Sequence, residues 1–202
     1  MLTALLRQWQ RRRLRDPAYA GMYSEHPDEL VSLDCETTSL NPAEAELLSI
    51  GAVKLRGNRI LASEALYLLV RPERAPPADN VRIHGLRPID VNQGMEALDA
   101  MRRLLDFVGG RPLLGYYLEY DMAVLNRYIR PWLGVPLPQR RIEISGRYYD
   151  YKLRQNPDAH IDLRLASICQ DLDMPAPPRH DALNDAINAA MLYLALKQRG
   201  YG

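Results

Sequence analysis

Four carboxylates and one histidine stand where they could do chemistry. Asp34 and Glu36 lie two apart in LVSLDCETTSL, Asp121 sits in GYYLEYDMAVLNRYI, and His180 and Asp185 lie five apart in HDALNDAINAAMLYL. Acidic groups on apolar elements are costly unless a cation satisfies them. Magnesium takes carboxylate oxygens and keeps several waters, so a pair of divalent ions would suit this set. The chemistry such a set points to is metal-assisted cleavage of a phosphodiester. On a strand, residues two apart share a face, so Asp34 and Glu36 would project together with Cys35 turned away. Without a cation their mutual repulsion would leave one protonated.

Each piece also has an ordinary reading. Asp-x-Glu alone fits an exposed strand end. Asp121, just ahead of an apolar-periodic helix, fits an N-cap. His180 fits a surface or capping histidine, with Asp181 the solvated neighbour or the cap. Asp185 falls about one turn inside its helix and off the apolar stripe, a poor place for Asp by propensity.

The elements that must position these residues are legible in outline. Leu30 to Leu33 is a short apolar run ending at Asp34, read as a strand. Glu46 to Leu55 (ELLSIGAVKL) is a second strand, Gly57-Asn58 a hairpin signal, and Arg59 to Val70 a third strand. Arg71 to Asn80, with three prolines, is a loop. Met95 to Val108 has helical period and is closed by Gly109-Gly110. Leu113 to Tyr117 is a strand feeding a helix from Asp121 to Ile129 that Pro131 stops. Arg141 to Ile144 is a further strand, Leu163 to Leu172 a helix, Pro175 to Pro178 a connector, and Asp181 to Lys197 the last helix. Hairpin strands followed by alternating strands and helices imply an α/β domain, with a mixed central sheet flanked by helices.

The N-terminus differs. Leu2, Leu5, Leu6, Trp9 and Leu14 form a helical stripe, and Arg11, Arg12, Arg13 and Arg15 a positive cluster. Residues 1 to about 20 therefore read as a basic amphipathic helix. It is either a solvated helix packed on the domain's outside or a contact for nucleic acid, an anionic membrane or a partner. The expected division is a basic extension over 1–25 and a catalytic domain over 26–202.

Composition bounds the rest. A 202-residue chain that is 47% apolar can bury one core. A formal charge of +1 excludes a global field for nucleic acid, so any phosphate-binding surface must be local. Two distant cysteines without C-x-x-C spacing argue against a disulfide framework or structural zinc and fit a reducing cytoplasm. No apolar run approaches the roughly 20 residues that span a bilayer. Positive charges follow the N-terminal apolar residues, which argues against a secretory signal. The chain ends soon after its last helix, so stand-alone action is expected over tethering through a C-terminal extension. In the segment around Arg147, Tyr148, Tyr149, Tyr151, Lys152 and Arg154, basic and aromatic residues interleave as on single-strand binding surfaces, or form a solvated loop.

The order and spacing together are specific. Asp-x-Glu-Thr-Thr after an apolar strand, Tyr-Asp at a helix start and His-x4-Asp in a last helix resemble the DEDDh 3′→5′ exonuclease superfamily. That group includes the proofreading epsilon subunit of bacterial DNA polymerase III, ribonuclease T and oligoribonuclease. The resemblance covers about Leu30 to Leu196, and LLSIGAV and Ile83-His84-Gly85-Leu86 add to it. The tyrosine subgroup would need Tyr where Asp181 stands, so the histidine subgroup fits.

The resemblance implies a ribonuclease H-like fold. It implies that Asp34, Glu36, Asp121 and Asp185 hold two Mg²⁺ or Mn²⁺ ions, with His180 as general base on the attacking water. It also implies that Thr37, Thr38, Leu40, His84 and Tyr117 meet the 3′-terminal nucleotide of a single-stranded or frayed end. The product would be a nucleoside 5′-monophosphate, and DNA the favoured substrate. Two departures stand out: Ser39 where the family commonly has Gly, and Tyr116-Tyr117 where it has His-Asn. Tyrosine can stack on a base, but two adjacent strand residues face opposite ways, so one would pack inside. An RNA-trimming exoribonuclease and a catalytically silent nucleic-acid-binding module are the alternatives.

Overall fold

Alternating apolar residues before Asp34, and the continuous apolar run after Leu47, place two long strands at the centre of a mixed sheet. The computed structural model describes residues 2–24, 26–74, 85–175 and 181–201. Strand β1 (Glu29–Thr37) pairs antiparallel with β2 (Leu47–Arg56). The outer side of β2 pairs antiparallel with β3 (Arg59–Ile60) and β4 (Leu66–Leu69). On its other side β1 pairs in parallel with β5 (Leu113–Gly115), and β5 in parallel with β6 (Arg141–Glu143). The order is β3-β2-β1-β5-β6, with β4 added to β2. This is the ribonuclease H-like mixed α/β sheet that the sequence implied.

Seven helices surround it among the described residues: α1 (Leu2–Arg13), α2 (Pro88–Val91), α3 (Ala97–Val108), α4 (Leu118–Leu133), α5 (Ile144–Gln155), α6 (Leu165–Asp171) and α7 (Ala182–Gln198). The pleat of β1 sorts the two cores. Val31, Leu33 and Cys35 point into one, against Met101 and Leu104 of α3 and Met122 and Leu125 of α4. Ser32, Asp34 and Glu36 alternate with them along the strand. Beyond the opposite face, Val53, Leu55, Leu114 and Ile142 pack with Tyr148, Ile168, Leu192 and Leu196 of α5, α6 and α7. Each fully buried leucine contributes about 2 kcal/mol, so these cores hold the strand ends in place.

Several elements differ from their sequence reading. The third strand, expected unbroken over Arg59 to Val70, is split into β3 and β4 by a 3-10 turn at Ala62–Glu64. That turn shifts the register along β2, from Leu55↔Ile60 to Ala52↔Leu66. Strand β5 ends at Gly115, so Tyr116 and Tyr117 lie in a turn, not on a strand. Helix α4 starts at Leu118 and runs through Pro131 to Leu133. Buried Ile129 and Leu133 hold that last turn, and Gly134, at φ 74°, closes it in the left-handed conformation glycine adopts without cost.

The Arg147–Arg154 segment is not a solvated loop but lies in helix α5. Glu143 caps it, accepting from the Ser145 N–H at 3.2 Å, and Tyr148 is buried in the second core. Polar residues at most of its positions hid this helix from the apolar pattern. At the N-terminus the helix stops at Arg13, and a 3-10 turn at Pro17–Tyr23 delivers Met22 into the first core. Arg7 fastens α1 by donating to the Pro138 carbonyl (2.7 Å) and the Tyr23 carbonyl (3.2 Å). Leu5, Leu6 and Trp9 are exposed, so this part of the apolar stripe faces solvent instead of packing.

Candidate active site

Carboxylates converge at the C-terminal half of β1. Ligand oxygens of Asp34, Glu36 and Asp185 all lie within 4.8 Å of one another. The first two share one face of the strand, as their spacing dictates. The third arrives on α7, and the approach depends on a residue that sequence reading passed over. Gly51 pairs with Asp34 across the ladder. A Cβ added there would lie 2.2 Å from the Ala182 carbonyl carbon and 2.2 Å from the Leu183 nitrogen. Only glycine lets the first turn of α7 rest on the sheet. The available signal was a lone glycine inside an otherwise apolar strand.

Asp185 sits in that first turn, not in the middle of a helix. A carboxylate there faces the positive end of the helix dipole, which removes the propensity objection. Asp181 is the N-cap, accepting from the Asn184 N–H at 2.9 Å. Burial, then the Asp121, Asp185 and Glu36 charges, push the Asp34 carboxyl well above its usual range. Burial, then Asp185 and Asp181, raise Glu36 to about 7. Carboxylates crowded until they resist ionising are a donor set suited to a hard divalent cation, whose charge reverses that cost. The residues present therefore fit the metal that the sequence implied.

Asp121 comes from the other side. It is 3% exposed, in the first turn of α4, and is not the N-cap; that position belongs to Tyr117. Its carboxyl is raised to about 8 by burial, against lowering hydrogen bonds from the Cys35 thiol and backbone N–H. It lies close enough to raise Asp34, yet outside the three-residue cluster.

Glu143, also missed by sequence reading, positions this helix. Its two carboxylate oxygens accept from the Tyr117 N–H (2.9 Å) and the Leu118 N–H (2.8 Å). Tyr117 has φ 55°, a left-handed conformation uncommon for a side-chain-bearing residue, which these bonds hold. The residue is 59% exposed. Tyr116 is partly buried and donates to the Leu163 carbonyl at 2.7 Å. The two rings meet edge to face at 4.9 Å.

The Thr37–Leu40 turn closes the site's rim. The Thr37 hydroxyl lies 2.5 Å from the Tyr120 hydroxyl, and Tyr120 also donates to the Ser39 carbonyl. The Thr38 hydroxyl accepts from the Glu46 N–H at 2.9 Å, so it is engaged within the fold. Leu40 protrudes, 89% exposed. Tyr120 is a further positioning residue, signalled only by its adjacency to Asp121. His84 and His180 lie outside the described residues.

Comparison with known proteins gives the family and the fold. The exonuclease family model (RNase_T) matches residues 31–193. A DNA polymerase III subunit epsilon-like protein of Rhodobacter capsulatus is 28% identical over 84% of this chain and 24% of its own length. The DNA polymerase III subunit epsilon of Rickettsia felis is 24% identical over 82% of this chain and 72% of its own. A PolC-type DNA polymerase III of Thermotoga maritima is 25% identical over 81% of this chain but 11% of its own. This chain thus spans a quarter or less of the first curated relatives it matches. Among solved structures, E. coli exonuclease I in complex with a dA16 oligonucleotide shares the fold. Its TM-score is 0.72 at 18% identity, covering 85% of this chain and 41% of that one. A zinc-bound form of the same enzyme with single-stranded DNA aligns at TM-score 0.71 and 17% identity, over 86% of this chain and 41% of that one.

Proposed function

The chain belongs to the exonuclease family, and we propose that its site removes nucleotides one at a time from the 3′ end of single-stranded or frayed DNA, releasing nucleoside 5′-monophosphates. The observation that carries this reading is the convergence of Asp34, Glu36 and Asp185 within 4.8 Å.

Asp34, Glu36 and Asp185 would hold two divalent ions, magnesium or manganese, with Asp121 completing the set from behind β1. When bound, such ions lower the pKa of a water and stabilise the attacking and leaving oxygens of an in-line displacement. His180 takes the proton of the attacking water, as an imidazole with an unperturbed pKa near ~6.5 can do at neutral pH. Thr37 and Thr38 shape the backbone turn that meets the terminal sugar and phosphate. Leu40, protruding from that turn, wedges against the last base, and His84 touches the same nucleotide. Tyr117, exposed and held by Glu143, offers its ring for stacking where the family's asparagine would stand.

The names of the relatives favour DNA over RNA, and the neighbours crystallised with single-stranded oligonucleotides favour an unpaired end. We infer a basic extension over 1–25 that docks on a catalytic domain over 26–202 through Met22 in the first core. Its outward Leu5, Leu6 and Trp9 beside Arg11, Arg12 and Arg13 serve a contact with another protein or an anionic membrane. No described helix is long and apolar enough to cross a membrane. Cys35 and Cys169 are buried free thiols, in keeping with a reducing cytoplasm.

The test is degradation of matched 5′-labelled single-stranded DNA and RNA with magnesium, with manganese and with chelator. A metal-dependent ladder shrinking from the 3′ end, faster on DNA, is expected. A faster RNA ladder would make this an exoribonuclease. Binding without cleavage under every condition would make it a silent module. In the same assay His180→Ala is expected to lower kcat about 100-fold.

A further inference from the structure

A second charged feature lies on the outside of α4, away from the carboxylates. A cavity of about 520 Å³ opens beside Glu119, Ala123, Arg127, Arg130 and Pro131 of that helix and Arg141 of β6, the edge strand. Three guanidiniums against one carboxylate make it locally positive on a chain whose formal charge is +1. Other surface arginines are paired with acids, among them Arg56 and Arg111 with Glu29, Arg74 with Glu46, Arg87 with Asp90 and Arg164 with Asp162. Among the described residues, Arg130 and Arg141 make no ion pair and are exposed. Arg127 is fixed in place, donating to the Pro42 carbonyl (3.1 Å) and the Ala45 carbonyl (2.6 Å). Those carbonyls belong to the segment that follows the Thr37–Leu40 turn. The groove is therefore tied directly to the rim of the candidate active site.

Its shape selects among anionic ligands. Glu119 lies two residues from Asp121, and Arg130 lies near the far end of α4. At 1.5 Å per residue the groove follows about 17 Å of helix. That length suits successive phosphates of one strand better than a single mononucleotide. Planar guanidinium forks match phosphate oxygens in pairs and read no base.

We propose that this groove holds the sugar–phosphate backbone of the nucleic-acid strand upstream of the 3′ end being cleaved. The proposal rests on the exonuclease reading for its direction, but its test does not need catalysis. The full chain carrying Arg130→Gln with Arg141→Gln is compared with the unaltered chain in chelator, over a range of salt. The probes are fluorescent oligothymidylates of about 4 and about 16 nucleotides, and thymidine 5′-monophosphate.

Losing two phosphate contacts is expected to reduce the slope of log affinity against log salt by about 1.4 for the longer strand. The preference for the longer over the shorter strand should shrink about tenfold. Arg130→Lys with Arg141→Lys should keep most of the slope, since charge is retained while the fork is lost. Thermal unfolding unchanged in both pairs would tie the effect to the surface; both sites are exposed, and should the Gln pair unfold, Arg141→Gln alone is read instead, with a slope reduced by about 0.7 expected. An unchanged slope and length preference would overturn the proposal. So would loss of thymidine monophosphate binding with the strand slope intact, which would make the groove a mononucleotide site. A magnesium-dependent ladder run on the same preparation judges the exonuclease reading separately. If the slope changes but no ladder forms, the groove stands and that reading falls.

Discussion

The two faces of β1 near its C-terminal end carry acidic groups under opposite arrangements. On one face Asp34 and Glu36 gather Asp185 into a cluster within 4.8 Å. On the other, Asp121 is a single buried carboxyl held by the thiol and backbone N–H of Cys35. The first arrangement concentrates charge that burial raises in energy. The second satisfies one group by hydrogen bonds and fixes it. Each is delivered by the first turn of a helix, but by different means. Helix α7 comes close because Gly51 has no side chain. Helix α4 is strapped by Glu143 around the strained Tyr117. One device is an omission of atoms and the other a set of added bonds. They should therefore fail differently.

The largest expected effect comes from emptying the clustered face. Asp34→Ala or Asp185→Ala should abolish cleavage, by about 1,000-fold or more, while the fold remains, because removing one of several repelling carboxylates relieves strain. Full activity of either variant on labelled oligonucleotides would end the assignment. Next comes the contact that assembles that face. Gly51→Ala should push α7 off the sheet, costing about 3 kcal/mol of stability and at least about 100-fold in activity. A denaturant midpoint unmoved from that of the unaltered chain would show that α7 does not depend on this contact.

The pH dependence of stability sharpens the contrast. Glu36 is raised to about 7 and Asp121 to about 8 in the folded chain without metal. Between the ordinary carboxylate pKa and these values, the folded state keeps protons that the unfolded state has released. The contribution of these two groups should therefore be greatest at and below about pH 4.5 and be lost as pH rises towards 8, on the order of 2 kcal/mol in chelator. Magnesium should restore most of it at pH 8 and little at pH 5. Urea midpoints at both pH values, with and without the metal, measure this; a metal effect independent of pH would contradict the cluster.

The smallest effects belong to the strapped face and the rim. Glu143→Gln should weaken the hold on Tyr117 and raise KM several-fold, with kcat falling less, since α4 stays packed by Met122 and Leu125. Tyr120→Phe removes bonds to Thr37 and Ser39 and should cost about 1 kcal/mol of stability. A kcat loss in Glu143→Gln as large as the rise in KM, or an unmoved denaturant midpoint in Tyr120→Phe, would contradict these roles.

Much of this was legible from the chain alone because the signals are local. The period-2 pattern around Asp34 is a property of any strand, and the apolar stripe of α3 is a property of its own residues. Reading failed where a residue's role is set by something far away in sequence. Asp121 looked like a cap until Tyr117 was seen to take that position. Helix α5 looked like a loop because Tyr148 finds its partners on α6 and α7. Gly51 carried no chemistry of its own.

Residue types and spacing by themselves determined that five acid–base groups were present, that two of them shared a strand face, and that the elements would form a mixed α/β sheet. Those follow from backbone geometry, which acts over a few residues. Tertiary structure decided that Asp185 joins Asp34 and Glu36 while Asp121 stays behind β1. It also decided that Arg127, Arg130 and Arg141 share one groove, and that part of the apolar stripe of α1 faces outward. Those depend on which surfaces come within a few ångströms when helices pack, and packing is settled by the whole core.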